Sequence, residues 1–142
     1  MKRSIRVLSL ILALFMLTCA FVACNEKPTG LWKNATYTED KTLGDGANTL
    51  SITVEMEEKS ILLTIKTDAA TVKDALAEHD LIDGEQQAIG YMMSTLNGVR
   101  ADFTLDGAYW AFYQNGEYMM TGIDTTLVTG DAAYEFVYTP AS

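Results

Sequence analysis

The amino-acid sequence predicts an α+β fold, on three observations. Residues 50–56 and 61–65 place apolar side chains at every second position, the pattern of strands with one buried and one wet face. Residues 72–80 instead repeat apolar side chains at helical spacing. Two Asn-Gly dipeptides in the second half are typical of tight turns that join further strands. Strands on both sides of a single helix place the chain in the α+β class.

The first two strands are predicted to form a β-hairpin. The alternate apolar residues of 50–56 make the buried face of the first strand, and those of 61–65 make that of the second. Glu58 and Lys59 lie between the two strands and are polar residues suited to the turn.

One short helix follows the hairpin. Thr71 is its predicted N-cap, and Asp74 takes the place of the usual Glu or Gln in a capping box. A helix over 72–80 is too short to be stable alone. It must therefore pack on the sheet through its apolar side chains, which are Val72, Ala75 and Leu76. The dipeptide Asp83-Gly84 is predicted to end this unit.

The second half of the chain is predicted to return to β-structure. Strands are expected over 91–96 and 109–113, each followed by an Asn-Gly turn, with residues 118–120 continuing beyond the second turn. A last alternating strand is expected over 133–138. A β-hairpin, one short helix packed on a mixed sheet and then further strands is the order of a β-grasp-like fold.

The N-terminus has the layout of a secretory signal peptide. Basic residues within the first six positions precede an apolar run over 7–23, and Cys24 follows it directly. Val22 and Ala23 fit the lipobox of bacterial lipoproteins, with Phe21 where Leu is usual. This pattern predicts cleavage before Cys24 and attachment of a lipid to its thiol.

The chain is therefore expected to have three parts. Residues 1–23 are the lipoprotein signal peptide, 24–47 are the lipidated cysteine with a tether or lead-in, and 48–142 are the folded domain. The expected location is a bacterial cell membrane, with the protein lipid-anchored through Cys24 and facing outside the cytoplasm. An uncleaved membrane anchor and plain secretion are the alternatives.

Without residues 1–23 the chain is strongly acidic. Those residues hold three of the ten Lys and Arg residues and none of the 19 Asp and Glu residues. Seven basic and 19 acidic residues remain, which gives a net charge of −12. Nucleic acids and anionic lipid headgroups repel such a body, which makes them unsuitable partners. Cys24 would be the one cysteine left, so no disulfide is expected despite an oxidising location.

No residue set in the sequence indicates an enzyme or a metal site. His79 is the one histidine, and lipidation would leave no free cysteine as a nucleophile. Zinc sites need three or four ligands, usually Cys or His. Several acidic side chains could lend oxygens to calcium but lack EF-hand spacing; these are Asp80, Asp83, Glu85, Asp102 and Asp106. The expected protein is non-catalytic, with no metal.

One segment resembles a known family. Residues 110–117, Trp-Ala-Phe-Tyr-Gln-Asn-Gly-Glu, are similar to the W-x-F/Y-Y-x-N-G-E hairpin of the transcobalamin C-terminal-like domain. Residues 122–126 and 130–131 follow at the family's spacing, and three upstream segments are in its order, namely 71–76, 90–91 and 97–98. The resemblance covers about residues 31–139. It implies a β-grasp fold of the soluble-ligand-binding group, which occurs in many bacterial surface lipoproteins.

The resemblance also implies a ligand. Animal relatives use this domain to cover cobalamin, together with a large helical domain for which this chain has no room. The implied ligand is a small soluble molecule, and a bound corrinoid is one candidate.

The aromatic residues of 109–113 must divide between the two faces of one strand. One pair is expected in the core, and the other on the open sheet face or under the long loop, where rings can stack on a flat, partly apolar ligand. The candidate ligand-binding residues are Tyr91, Trp110, Tyr113, Asn115 and Tyr118. Core packing is the alternative for the aromatic residues, and a turn role is the alternative for Asn115. The methionine pairs 92–93 and 119–120 are each expected to point one side chain inward and one outward.

The expected function is that of a membrane-anchored binding module for a small soluble ligand. The alternative is a structural or adhesive module that contacts other surface proteins or glycans. A concave aromatic pocket would favour the first function, and a flat apolar patch or an exposed strand edge would favour the second.

Overall fold

A computed structural model describes residues 26–130 and 132–142. The predicted signal peptide and Cys24 lie outside the described residues. Within them, no helix is both long enough and apolar enough to cross a bilayer.

Two sheets and two short helical elements make up the described chain. The strands are β1 (Lys41–Gly44), β2 (Asn48–Met56), β3 (Lys59–Thr67), β4 (Ile82–Gln87), β5 (Gly90–Leu96), β6 (Val99–Arg100), β7 (Ala108–Gln114), β8 (Glu117–Tyr118) and β9 (Ala133–Pro140). The larger sheet has the order β1-β3-β2-β9-β7-β8 and the smaller one β4-β5-β6. The α-helix α1 is Val72–Ala77, and a 3₁₀ helix spans Gly30–Asn34. The predicted α+β class is confirmed.

The larger sheet has one apolar face. β2 pairs antiparallel with β3 and parallel with β9, and β9 pairs antiparallel with β7. In this register Val54 lies opposite Phe136, which lies opposite Phe112, so the apolar side chains of these strands share one face. The rings of Phe112 and Phe136 stack with their centroids 4.8 Å apart. This face forms one side of the core.

The helix α1 contributes a fully buried apolar face to the same core. The Oγ1 atom of Thr71 accepts a hydrogen bond from the N–H of Asp74 (3.2 Å), as predicted for the N-cap. The helix ends at Ala77, before the predicted end at 80. Asp80 adopts a φ of 52°, a left-handed conformation that stops an α-helix.

The dipeptide Asp83-Gly84, predicted as a break, lies inside β4. The pairing of β4 with β5 shifts register between Asp83 and Gly84, which is a β-bulge. A Cβ atom at Gly84 would clash with the carbonyl oxygen of Met92. Glycine is therefore needed here for close approach of two strands, and it does not end the element.

The segment predicted as a tether and lead-in takes part in the fold. Trp32, in the 3₁₀ helix, is buried, and its Nε1–H donates to the carbonyl of Met56 (3.1 Å). β1 pairs in parallel with β3, so the larger sheet begins at Lys41 and not at 48. The chain is therefore packed from about Gly30 onward.

Candidate ligand groove

An open groove lies between β5 of the smaller sheet and β7 of the larger one. It is lined by residues 91–93, 109–110, 112, 118–123 and 136. Its volume is about 350 Å³, within the range of about 300–1,000 Å³ that is typical of small-molecule sites. Aromatic and methionine side chains make up most of its lining, which gives it an apolar character.

The groove exists because β8 is short. β8 pairs with β7 at two positions, opposite Tyr113 and Gln114. One further bond, from the N–H of Met119 to the carbonyl of Phe112 (2.9 Å), precedes the point where the chain leaves the sheet. Beyond it, β7 has no strand neighbour on this side within the described part of the chain. Residues 119–123 form a wall of the groove instead.

Methionine side chains contribute much of the groove surface. Residues 26–142 contain five methionines, and four of them, at 92, 93, 119 and 120, line the groove. Met92 is 49% exposed and Met120 is 89% exposed, whereas Met93 and Met119 pack against the core. Each pair thus points one side chain inward and one outward, as predicted. Flexible thioether side chains can adapt to an irregular apolar partner.

Tyr91 forms a polar corner of the groove. Its backbone N–H donates to Oδ2 of Asp124 (3.1 Å), and Nζ of Lys73 lies 4.8 Å from the centroid of its ring, a cation–π contact. Burial, and then the nearby carboxylate of Asp83, raise the pKa of the Tyr91 phenol. The phenol is therefore neutral at physiological pH and can donate a hydrogen bond to a ligand.

Three of the predicted ligand residues line the groove, namely Tyr91, Trp110 and Tyr118. Trp110 lies on its floor and is 8% exposed, and its Nε1–H donates to the carbonyl of Val99 (3.2 Å). Most of the Trp110 surface is therefore packed inside the protein, and only a small part of it faces the groove. Tyr118 lies on the rim, 53% exposed, and its ring meets that of Tyr113 edge-on at 5.5 Å.

The other two predicted residues, Tyr113 and Asn115, do not line the groove. Tyr113 lies on the opposite face of β7 from Trp110, because side chains alternate along a strand. Asn115 begins the turn with a φ of 49°. Its N–H donates to the carbonyl of Ala133 (2.7 Å), and its Oδ1 accepts from the N–H of the same residue (3.0 Å). These bonds give Asn115 a turn role.

Sequence reasoning did not single out Tyr109, Ile123 or the four methionines as site residues. The two Met-Met pairs were the available signal, since each must expose one side chain. The two methionine pairs come together only because the smaller sheet packs beside β7. No local sequence pattern predicts that packing.

Two of the acidic residues considered for calcium, Asp102 and Asp106, make hydrogen bonds within one loop. Arg100 donates to both carboxylate oxygens of Asp106 (2.8 and 2.9 Å), and this bonding holds the pKa of Asp106 down to about 2. Oδ1 of Asp102 accepts from the N–H groups of Thr104 and Leu105, both at 2.8 Å. Within residues 26–130 and 132–142, no three His, Cys, Asp or Glu side chains cluster as metal ligands.

Comparison with known proteins identifies likenesses of sequence and fold. Residues 69–132 match the family described as a domain of unknown function, DUF4430. No curated protein matches the chain. The structure of a candidate metal-binding protein from Ruminococcus gnavus matches with a TM-score of 0.62 and 24% identity, over 67% of this chain and 99% of its own. Haptocorrin in complex with Cbi matches with a TM-score of 0.53 and 16% identity, over 67% of this chain.

At these identities the two structures bear on the fold alone. The likeness to haptocorrin supports a transcobalamin-like fold, in agreement with the resemblance read from the hairpin at 110–117. The match spans 25% of the haptocorrin chain.

Proposed function

We propose that this protein is a non-catalytic module that binds a small soluble ligand in the groove, while a lipid on Cys24 anchors it to the outer side of a bacterial membrane. The groove is the observation that carries the proposal. It is concave and mostly apolar, and it opens beside an otherwise closed core because β8 stops early. A ligand that enters it removes apolar surface from water on both partners.

The lining supports a flat, partly apolar ligand. The rings of Tyr91 and Tyr118 offer stacking surfaces at two positions of the groove, and the methionines can adjust to a curved edge. The neutral phenol of Tyr91 offers one directed hydrogen bond. A corrinoid meets this description and is the first candidate, supported by the likeness to a haptocorrin structure that contains Cbi.

Calorimetric titration of the mature chain with cobalamin and cobinamide tests the ligand. We expect saturable binding with a Kd of about 1 μM or tighter. Tyr91→Ala should weaken it about tenfold, since the ring contact and the phenol bond are both lost. Leu62→Ala is the control and should leave the Kd unchanged, because this partly exposed side chain of β3 lies outside the groove. Absence of heat from both compounds would reject a corrinoid, and equal losses in the two variants would reject the groove as its site.

The anchor has its own test. In cells supplied with labelled fatty acid, Cys24→Ala should abolish labelling and leave uncut precursor, because the thiol of Cys24 is the proposed lipid acceptor. Label that persists in this variant would reject lipidation at Cys24 without bearing on the groove.

An adhesive or structural role is the second candidate, favoured by apolar side chains exposed near the groove. Tyr118, Met120 and Phe103 are all largely exposed. Such surface is typical of contacts with other macromolecules. A photo-reactive amino acid at position 120 separates the two candidates in living cells. A single discrete protein adduct would support adhesion, and labelling of no protein would leave the small-ligand function favoured.

A further inference from the structure

We propose that the outer edge of β7, inside the groove, binds an extended peptide segment of another protein as an added β-strand. The inference rests on the proposed function, because it concerns the same groove. It names a second class of ligand, one recognised through its backbone.

The direction of the backbone groups along β7 follows from bonds at its two ends. The N–H of Asn115 donates to the carbonyl of Ala133 (2.7 Å), and the carbonyl of Gly107 accepts from the N–H of Ala141 (2.8 Å). Both bonds join β7 to the chain of β9. Backbone groups of successive residues in a strand point to opposite sides. The odd-numbered residues of this stretch therefore face β9.

The even-numbered residues face the groove. The carbonyl of Phe112 accepts from the N–H of Met119 (2.9 Å), which is the last contact on the β8 side. By the same alternation, the N–H of Phe112 and both backbone groups of Trp110 point outward from β7. Within the described residues, no strand pairs with β7 at these positions.

An edge of this kind is a template for another strand. On the opposite wall one backbone group is already taken, because the N–H of Tyr91 bonds Oδ2 of Asp124. The new ladder is therefore assigned to the β7 edge, where no described strand pairs with the outward groups of Trp110 or with the N–H of Phe112. It offers N–H and C=O groups at the spacing of a peptide backbone, and few small molecules repeat that spacing.

The groove is long enough for such a strand. A second concavity of about 400 Å³ shares Met92, Met93 and Tyr109 with it and extends it toward the loop after β6. The β7 edge from Tyr109 to Phe112 alone covers about four residues, or about 13 Å at 3.3 Å per residue. A segment of about five or six extended residues would fill the combined trough.

Charge indicates what this segment carries. The second concavity is lined by Glu85 and Asp102, and no Lys or Arg is among its described lining residues. The groove itself presents the exposed side chains of Met92 and Met120 to an entering side chain. The fitting partner is therefore an extended peptide with apolar side chains along one face and a Lys or Arg at the end that meets the carboxylates.

Fluorescence polarisation with the full lipidated chain in a zwitterionic detergent tests the inference. The probe is a dye-labelled, capped peptide that alternates valine and threonine and ends in lysine. Two derivatives carry N-methyl groups on alternate amides, one on each of the two sets. We expect one set to weaken binding by about tenfold or more and the other to leave it unchanged, because only one edge of an added strand meets β7. Failure of the parent peptide to bind, or equal effects of the two sets, would overturn the inference.

A charge exchange tests the orientation of the peptide. Glu85→Lys should weaken binding of the lysine-ended peptide. It should strengthen binding of an otherwise identical peptide that ends in glutamate. The same preparations are titrated with cobinamide. Cobinamide binding without peptide binding would overturn the inference and leave the proposed function standing. Peptide binding without cobinamide binding would support the inference and replace the corrinoid as the ligand.

Discussion

The larger sheet contains two β-hairpins that differ in how far their strands pair. β2 and β3 are matched residue for residue from Asn48 opposite Thr67 to Met56 opposite Lys59. β7 and β8 are matched at two positions, beside the Asn115-Gly116 turn. The long hairpin closes its part of the core, whereas the short one leaves part of a strand edge unpaired beside an apolar groove. The candidate site thus arises where a second strand stops, and it needs no unusual side chain.

The largest expected effect on stability comes from a core substitution in the long hairpin. Leu63 is fully buried on the core face of β3, and its neighbour Leu62 is 39% exposed on the other face. Leu63→Ala should lower the free energy of unfolding by about 2–5 kcal/mol, since it removes apolar contacts and leaves a cavity. Leu62→Ala should change it by about 0.5 kcal/mol or less. Urea denaturation measures both, and similar losses would contradict the assignment of the two faces.

The next effect compares the two Asn-Gly turns. Asn97 is fully buried, and its side chain bonds both the N–H (2.9 Å) and the C=O (2.8 Å) of Tyr37. Asn97→Ala should cost about 2–3 kcal/mol, because these bonds are lost and alanine resists a φ of 51°. Asn115→Ala has the same strain at a φ of 49° but loses its side-chain bond in an exposed turn, so it should cost less, about 1–2 kcal/mol.

Asn97→Gly separates the two causes in the buried turn, since glycine accepts the left-handed φ without strain. It should recover about 1 kcal/mol of the loss in thermal or urea unfolding. If Asn97→Ala cost no more than Asn115→Ala, the buried turn would not be anchored through Tyr37.

The smallest effect concerns pH and the loop beside the second concavity. The pKa of Asp106 lies at about 2, below its ordinary value of 3.8, because Arg100 bonds its carboxylate. The pair therefore stabilises the fold fully above about pH 5, and this contribution is lost as the pH falls toward 2. Asp106→Asn should lose less stability than the parent between pH 5 and pH 3. An NMR titration of the carboxyl carbon that gave an ordinary pKa would contradict the pair.

Much of the fold could be predicted because its causes are local. Thr71 caps α1, and Asn97 and Asn115 take the left-handed conformations that tight turns require. Alternation in β2 and β3 reports a sheet with one buried face. These features depend on residues that are close together in the sequence, so the sequence of one chain is enough to predict them.

The rest depends on packing between distant segments. β4, with the sequence Ile-Asp-Gly-Glu-Gln-Gln, is almost entirely polar, so no alternation of apolar side chains marks it as a strand. The groove depends on where β8 ends and on the smaller sheet that lies beside β7. For this reason Tyr91, Trp110 and Tyr118 were predicted as site residues, while Tyr109 and the methionines that complete the lining were not.

The most direct test of the groove uses its methionines. In the mature chain labelled with ¹³C at the methionine methyl groups, four signals come from the groove and one from Met56 in the core. Titration with cobinamide should shift the signals of Met92, Met93, Met119 and Met120 and leave that of Met56 in place. Binding that shifts none of the four, or that shifts Met56 as much as the others, would contradict the groove as the ligand site.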